Sequence, residues 1–408
     1  MRQSQLRKYA RLLARVGINV KKGQTVFVEA ALDQPEFVTM VVEECYKAGA
    51  SEVYVDWSHQ PVGKLNSQYR SLESLSTLAP WTKAKWEYKV EKYACRLWIE
   101  SEDPDGMKGV DQEKMSKARQ AIFPQIKPFR RALESKHQWC IAAVPGKAWA
   151  KKVFPHLSER KAVEEMWKVI LKTARADGKN PVADWKAHNA DLDARCEYLN
   201  NLGLKYLEYK SANGTDFKVE LLEDGLFAGG NEKTLQGRVF NPNIPTEEVF
   251  TSPKAGAAEG IVYSTKPLSY MGQLIENFSL RFENGKVVEV KAEKREELLK
   301  QMVSMDEGAG MLGECALIPY TSPINQSGVL FFNTLFDENA SCHFALGFGF
   351  NECLKGYEKL TDEECKARGI NDSMIHVDFL IGSKDMSIVG ITKDGKRVQI
   401  FENGVWAF

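Results

Sequence analysis

The sequence predicts an α/β plus α+β protein. An open, mostly parallel α/β domain over residues 1–180 is followed by a β-rich domain, antiparallel and barrel-like, over residues 181–408. Three observations carry this expectation. Apolar strand-like runs alternate with helical patterns through the first part, the signature of parallel strands joined by helical crossovers. In the second part short alternating runs are separated by Asn213-Gly214, Asn284-Gly285, Asp394-Gly395 and Asn403-Gly404, dipeptides that favour tight hairpin turns. Between the two patterns lies the turn-rich stretch Asp177-Gly178-Lys179-Asn180-Pro181. A chain of 408 residues is also long for one domain, and two is the natural expectation.

The elements follow in order. Leu6, Tyr9, Leu12, Leu13 and Val16 recur at helical spacing, so the basic, acid-free stretch 1–22 reads as a first helix and not as a transit peptide. Strands are expected at Thr25–Glu29, Glu52–Trp57, Cys95–Glu100 and Gln138–Val144. For the helix between the first two, Asp33 suits the cap, Pro35 the first turn and Gly49 the exit. The charged helical stretch Gln112–Glu134 should break near Pro124 and Pro128. Ser158 can cap a helix reaching about Arg175, and another helix spans about Pro181–Leu202. Phe278–Phe282 and Val287–Lys291 flank Asn284-Gly285 as a hairpin, followed by a helix at Lys294–Val303.

Composition narrows the function. Hydrophobic residues make up 43%, enough for a globular core. Lys+Arg 55 balances Asp+Glu 55, so the basic footprint of a nucleic-acid binder is missing. No apolar run approaches the roughly 18–20 residues that span a bilayer. Eight cysteines without a C-x-x-C pair read as free thiols in a reducing cytoplasm.

Several familiar motifs do not survive inspection. Gly308-Ala309-Gly310-Met311-Leu312-Gly313 fits G-x-G-x-x-G, but a dinucleotide fingerprint needs a strand before it and a helix after it. Here the order is reversed, and the glycines read as allowing close backbone approach ahead of Glu314-Cys315-Ala316-Leu317-Ile318. Pro145-Gly146-Lys147-Ala148 lacks the rest of a phosphate loop, and neither G-x-S-x-G nor H-E-x-x-H occurs. Cys342-His343 is adjacent in sequence, which does not make a catalytic pair.

The remaining signal is His376-Val377-Asp378 inside an apolar run. Side chains alternate on a strand, so His376 and Asp378 share one face. Glu247 and Glu248 follow a segment that Pro242 and Pro245 hold extended; Glu314 opens an apolar run; Asp337, Glu338 and His343 lie close together. The other histidines, His59, His137, His156 and His188, read as surface or core residues. Carboxylates with histidines and no thiolate pairs suit Zn, Mn, Co or Fe in an open, catalytic site.

The segments Asn243–Pro253, Ser264–Leu268, Asp337–His343, Ser373–Phe379 and Gly382–Met386 resemble the aminopeptidase T/aminopeptidase S metallopeptidases. Arg15-Val16-Gly17 and Lys22-Gly23-Gln24 extend the resemblance to nearly the whole chain. It implies a homodimeric exopeptidase whose β-rich C-terminal domain carries two divalent ions, Zn, Co, Mn or Mg, and acts on short peptides. Neither nucleic acid nor membrane is an expected partner. Carried over by position, the metal ligands fall on Glu248, Glu314, His343, His376 and Asp378. Glu247 would face the other way in an extended segment. The proton acceptor for an activated water would be Glu314 or Glu248. There is one departure: Phe350 stands where the family often has a tyrosine, and a phenyl ring neither ligates nor hydrogen-bonds. Two rival readings stay open at this point. His343, His376 and Asp378 alone would suit a ring-cleaving Fe(II) dioxygenase on the same scaffold, and Phe350 motivates a non-catalytic peptide-binding homologue.

Overall fold

The computed structural model describes residues 1–408. The chain forms two compact units, Met1–Ala187 with Asn231–Pro245, and His188–Gly230 with Thr246–Phe408. It therefore crosses between units three times.

The first unit is an open parallel α/β sheet. Its elements are α1 (Gln3–Leu12), β1 (Thr25–Ala31), α2 (Pro35–Ala48), β2 (Glu52–Ser58), α3 (Pro80–Lys92), β3 (Cys95–Glu100), α4 (Gln112–Leu133), β4 (Trp139–Ala143) and α5 (Glu159–Thr173). The strands run in the order β4-β3-β1-β2, and Asn243–Ile244 adds a short parallel edge beside β4. The apolar stripe of α1 is buried: the Tyr9 hydroxyl donates to the Ala143 carbonyl at 3.1 Å, and its ring stacks on Phe37.

Three local expectations are corrected. Asp33 does not cap α2; its carboxylate accepts a hydrogen bond from the Ser101 hydroxyl at 2.7 Å, so a tertiary partner outcompetes the local amide. Ser158 stands at the cap position of α5 but makes no capping bond. α4 does not break at Pro124 and Pro128. Those prolines lie four residues apart on an exposed face, and the carbonyls that lose partners, on Gln120 and Pro124, belong to exposed residues open to water. Pro35 and Gly49 do begin and end α2, the glycine at φ 112°.

A helix, α6 (Pro181–Asn201), contains the boundary and enters the second unit. The second unit is antiparallel. Its strands are β5 (Leu204–Lys210), β6 (Asp216–Leu221), β7 (Ala228–Gly229), β8 (Val249–Thr251), β9 (Pro253–Tyr263), β10 (Leu268–Tyr270), β11 (Gln273–Glu283), β12 (Lys286–Lys294), β13 (Leu312–Leu317), β14 (His343–Gly347), β15 (His376–Leu380), β16 (Ser387–Thr392), β17 (Arg397–Glu402) and β18 (Val405–Trp406). The large sheet runs β10-β11-β9-β6-β5-β16-β17-β18, with β12 also pairing β11 through the Asn284-Gly285 turn. A smaller sheet runs β15-β14-β13-β8-β7. The inner faces of the two sheets share one core. Phe344 of β14 meets Tyr209 and Phe217 of the large sheet at 4.9 and 5.2 Å between ring centroids, and Phe379 meets Phe278 at 5.7 Å. Each fully buried aromatic of this kind is worth about 2–3 kcal/mol. The small sheet is thereby clamped on one face, which leaves its other face to hold polar groups in fixed positions.

No helix is long and apolar enough to cross a membrane.

Candidate metal centre

The register of the small sheet decides what its outer face carries. Ala345 of β14 lies opposite Glu314 of β13 and opposite Asp378 of β15. Gly347 lies opposite His376, and Ala316 opposite both His343 and Phe250. Directly paired residues point to the same side of a sheet. Glu314, His343, His376 and Asp378 therefore share one face, and Glu248, two residues before Phe250, joins them. The positions between the charged groups are Ala316, Ala345 and Gly347, whose small side chains leave room between the carboxylates and imidazoles. Phe344, Leu346, Cys315, Leu317 and Phe379 point into the core on the other side.

Glu314 owes its orientation to a β-bulge. The register between β13 and β14 slips between Leu312 and Glu314. In an unbroken strand these two residues would share a face; the extra residue, Gly313, sends Leu312 to the core and Glu314 to the site. A Cβ on Gly313 would lie 2.1 Å from the Phe348 carbonyl oxygen and 2.4 Å from that of Gly347. The glycine-rich run before β13 thus serves close backbone packing.

The polar atoms converge. Ligand atoms of Glu248, Glu314 and His343 lie within 4.8 Å of one another, as do those of Glu314, His376 and Asp378. Glu314 belongs to both groups. His376 Nε2 is 3.1 Å from Glu314 Oε2 and 3.3 Å from Asp378 Oδ1. His343 Nε2 is 3.8 Å from Glu248 Oε2 and 3.9 Å from Asp378 Oδ1. Both imidazoles are oriented by backbone: Nδ1–H of His343 donates to the Glu338 carbonyl and that of His376 to the Phe348 carbonyl, each at 2.8 Å. A carbonyl only accepts, so Nδ1 is a donor in both rings and Nε2 is the atom turned to the carboxylates; in His376 that Nε2 also donates to Glu314 Oε2, and a cation bound there would take the place of its proton.

Electrostatics mark the centre as short of positive charge. Burial, then Glu314 and Asp378, push the Glu248 carboxyl well above the ordinary range. Glu338 is raised in the same way, by burial and then by Asp378, Glu248 and Glu314. Burial works to lower the His376 pKa, but Asp378 and Glu314 outweigh it and hold it well above its usual value. For Asp378 burial is opposed by the two imidazoles, and its pKa falls. Asp378 Oδ1 is buried with no well-aligned hydrogen bond, its nearest donor being His376 Nε2 at 3.3 Å. Buried carboxylates in this number, one oxygen without a well-aligned donor, and two imidazoles presenting Nε2 form an O/N donor set that fits divalent cations.

The neighbours of the expected residues are equally clear. Glu247 points away from the cluster, with its Oε2 4.0 Å from His188 Nε2. Cys342 turns its sulfur to the backbone of Ile318, and burial pushes its thiol up to about 12, so it makes no pair with His343. Phe350 and Phe348 each set a ring 4.8 Å from the His376 ring. Glu338 is the group that sequence reasoning named but did not count among the site residues. Its signal was its place five residues before His343, on the turn whose carbonyl orients that imidazole.

The profile of the family described as thermophilic metalloprotease (M29) matches residues 2–406. Aminopeptidase AmpS of Bacillus subtilis (strain 168) is 42% identical over 404 residues, covering 99% of this chain and 98% of the relative. The solved structure of wild-type AmpT from Thermus thermophilus superposes with a TM-score of 0.91 at 38% identity, covering 100% of both chains. A 2,5-dihydroxypyridine dioxygenase from Pseudomonas putida KT2440 shares the fold at a TM-score of 0.52 and 13% identity.

Proposed function

This chain belongs to the thermophilic metalloprotease (M29) family and is a metal-dependent aminopeptidase, a hydrolase acting as an exopeptidase, and on that premise we propose that it releases the N-terminal residue of short peptides at the Glu248–Glu314–His343–His376–Asp378 centre. The observation that carries the reading is the overlap of two donor groups through Glu314. One carboxylate common to two clusters is the arrangement that lets two divalent cations sit side by side. Glu248 and His343 would hold one cation and His376 and Asp378 the other, with Glu314 within reach of both groups. Such cations polarise a peptide carbonyl and acidify a water molecule at neutral pH.

The chain's own groups do the rest. The proton of the attacking water would pass to the departing amine through Glu314 or Glu248, by whichever carboxylate oxygen no cation engages. The backbone carbonyls of Glu338 and Phe348 keep both imidazoles aimed during turnover. The core behind the small sheet fixes Glu314, His343, His376 and Asp378 on strands, with Glu248 immediately before β8. The donor set is larger than the two histidines and one carboxylate of an Fe(II) oxygenase, which favours hydrolysis.

The test is amino-acid release from dipeptides and aminoacyl chromogenic amides by enzyme stripped of metal and reconstituted with Zn, Co, Mn, Mg or Fe(II). Metal-dependent release that Glu314→Gln abolishes is the expected result. Oxygen uptake with Fe(II), without peptide cleavage under any metal, would overturn the assignment.

A further inference from the structure

Beside the carboxylate cluster, within the second unit, lies a cavity of about 80 Å³. Its walls include Leu268, Leu274, Leu330, Phe332 and Leu380, and Glu338 and Asp378 also line it. A mostly apolar recess that opens onto charged groups suits a ligand with an apolar arm next to a cation. In an N-terminal amino acid the side chain and the ammonium share one Cα, so their receptors must be neighbours. Here Glu338 and the leucine walls border the same space.

The wall at Phe332 is built with care. Its φ is 56°, in the left-handed region that bulky residues avoid. Asp337 enforces it: one carboxylate oxygen accepts the Phe331 amide at 2.8 Å and the other accepts the Asn333 amide at 3.0 Å, so the residues on both sides of Phe332 are tied to one group. The Phe331 and Phe336 rings, stacked at 4.5 Å, brace the same loop. A backbone conformation that costs energy and is held from both sides keeps the Phe332 side chain where it limits the cavity.

We propose that this cavity receives the side chain of the substrate's N-terminal residue, that Glu338 accepts its ammonium group, and that Phe332 sets the size limit. The inference rests on the aminopeptidase reading above. A cavity of about 150 Å³ holds a benzene ring; one of about 80 Å³ is little more than half that and suits an aliphatic chain such as that of valine or leucine. A phenyl ring exceeds that volume; Asp337 also lines the cavity, but its two oxygens are engaged by the Phe331 and Asn333 amides, which leaves little for a lysine ammonium.

The experiment compares wild type with Phe332→Gly, a substitution at home at this φ, and with Leu330→Ala as a second widening variant. For Ala-, Val-, Leu-, Phe- and Lys-Ala dipeptides kcat/KM is measured with metal present. Affinities of the five free amino acids are measured by calorimetry on the same proteins. Expected is a preference for Leu and Val over Phe and Lys in wild type, and a fall of at least about tenfold in the Leu/Phe ratio in the widened variants, in rates and affinities alike. An unchanged ratio in both variants would overturn the pocket assignment while leaving hydrolysis intact. If no protein cleaves any peptide, the hydrolytic reading fails, and the binding series alone decides: an order that widening shifts toward Phe supports the pocket, and an order it leaves unmoved refutes it.

Discussion

Glu248→Gln should stabilise the metal-free protein while removing its response to metal. Glu248 and Glu314 hold carboxylate oxygens within 4.8 Å of each other, both buried. Two like charges at that separation repel by about 3.5 kcal/mol at an effective dielectric of about 20. Proton uptake by one carboxyl relieves part of this, so the gain expected at pH 8 is about 2 kcal/mol. For a domain of roughly 200 residues that is about 4–8 °C in Tm. Glutamine keeps the shape, and the one hydrogen bond at risk is the long contact from the Thr246 hydroxyl at 3.5 Å. Thermal melts of chelator-treated and metal-replete protein read both effects at once. Wild type should melt low without metal and rise when metal is added. Glu248→Gln should melt higher without metal and gain far less on addition. A variant that melts below wild type without metal, and keeps the full metal-induced rise, would refute the reasoning that these carboxylates are a cation site.

Other predictions follow from single features. Gly313→Ala places a methyl against two backbone carbonyls, so it should cost at least about 2–3 kcal/mol and weaken metal affinity by mis-aiming Glu314, measured by melting and by metal titration. Phe350→Tyr adds a hydroxyl to a ring packed on His376; one hydrogen bond to a charged group is worth about 1.5–3 kcal/mol, so kcat/KM for dipeptides should rise about tenfold or more. His137 is held down to about 4 by burial, with Nε2 buried and unpaired. The unfolded chain takes up this proton near 6.5 and the folded chain only near 4, so up to about 3 kcal/mol of stability present above pH 6.5 is lost as pH falls through that window. Urea melts at pH 7 and pH 5 should show the loss in wild type and a flatter profile in His137→Leu.

Periodicity made much of this architecture readable. The alternation of helix and strand signals the parallel sheet, and Asn-Gly turns signal the antiparallel part. The two-residue period alone puts His376 and Asp378 on one face. What sequence does not display is competition between local and distant partners. Asp33 looks like a cap until Ser101 arrives from the end of β3. Pro124 and Pro128 look like breaks until their exposure shows that water can satisfy the freed carbonyls. The bulge at Gly313 is invisible to a pattern that assumes strict alternation, which would send Glu314 to the same side as Leu312. The return of 231–245 to the first unit depends on contacts far apart in the chain. Glu338 enters the site from a helical turn and not from a strand, so no strand periodicity marks it.

The central claim is that hydrolysis depends on cations held by the face of the small sheet. Metal-stripped enzyme is titrated with Zn or Co while bound metal and release of the N-terminal amino acid from a dipeptide are followed together, in wild type and in Glu314→Gln. Binding that reaches two ions per chain, activity that rises with occupancy, and loss of both in the variant are the predicted results. Full-rate cleavage by the stripped enzyme, or undiminished metal binding and cleavage in Glu314→Gln, would contradict the account.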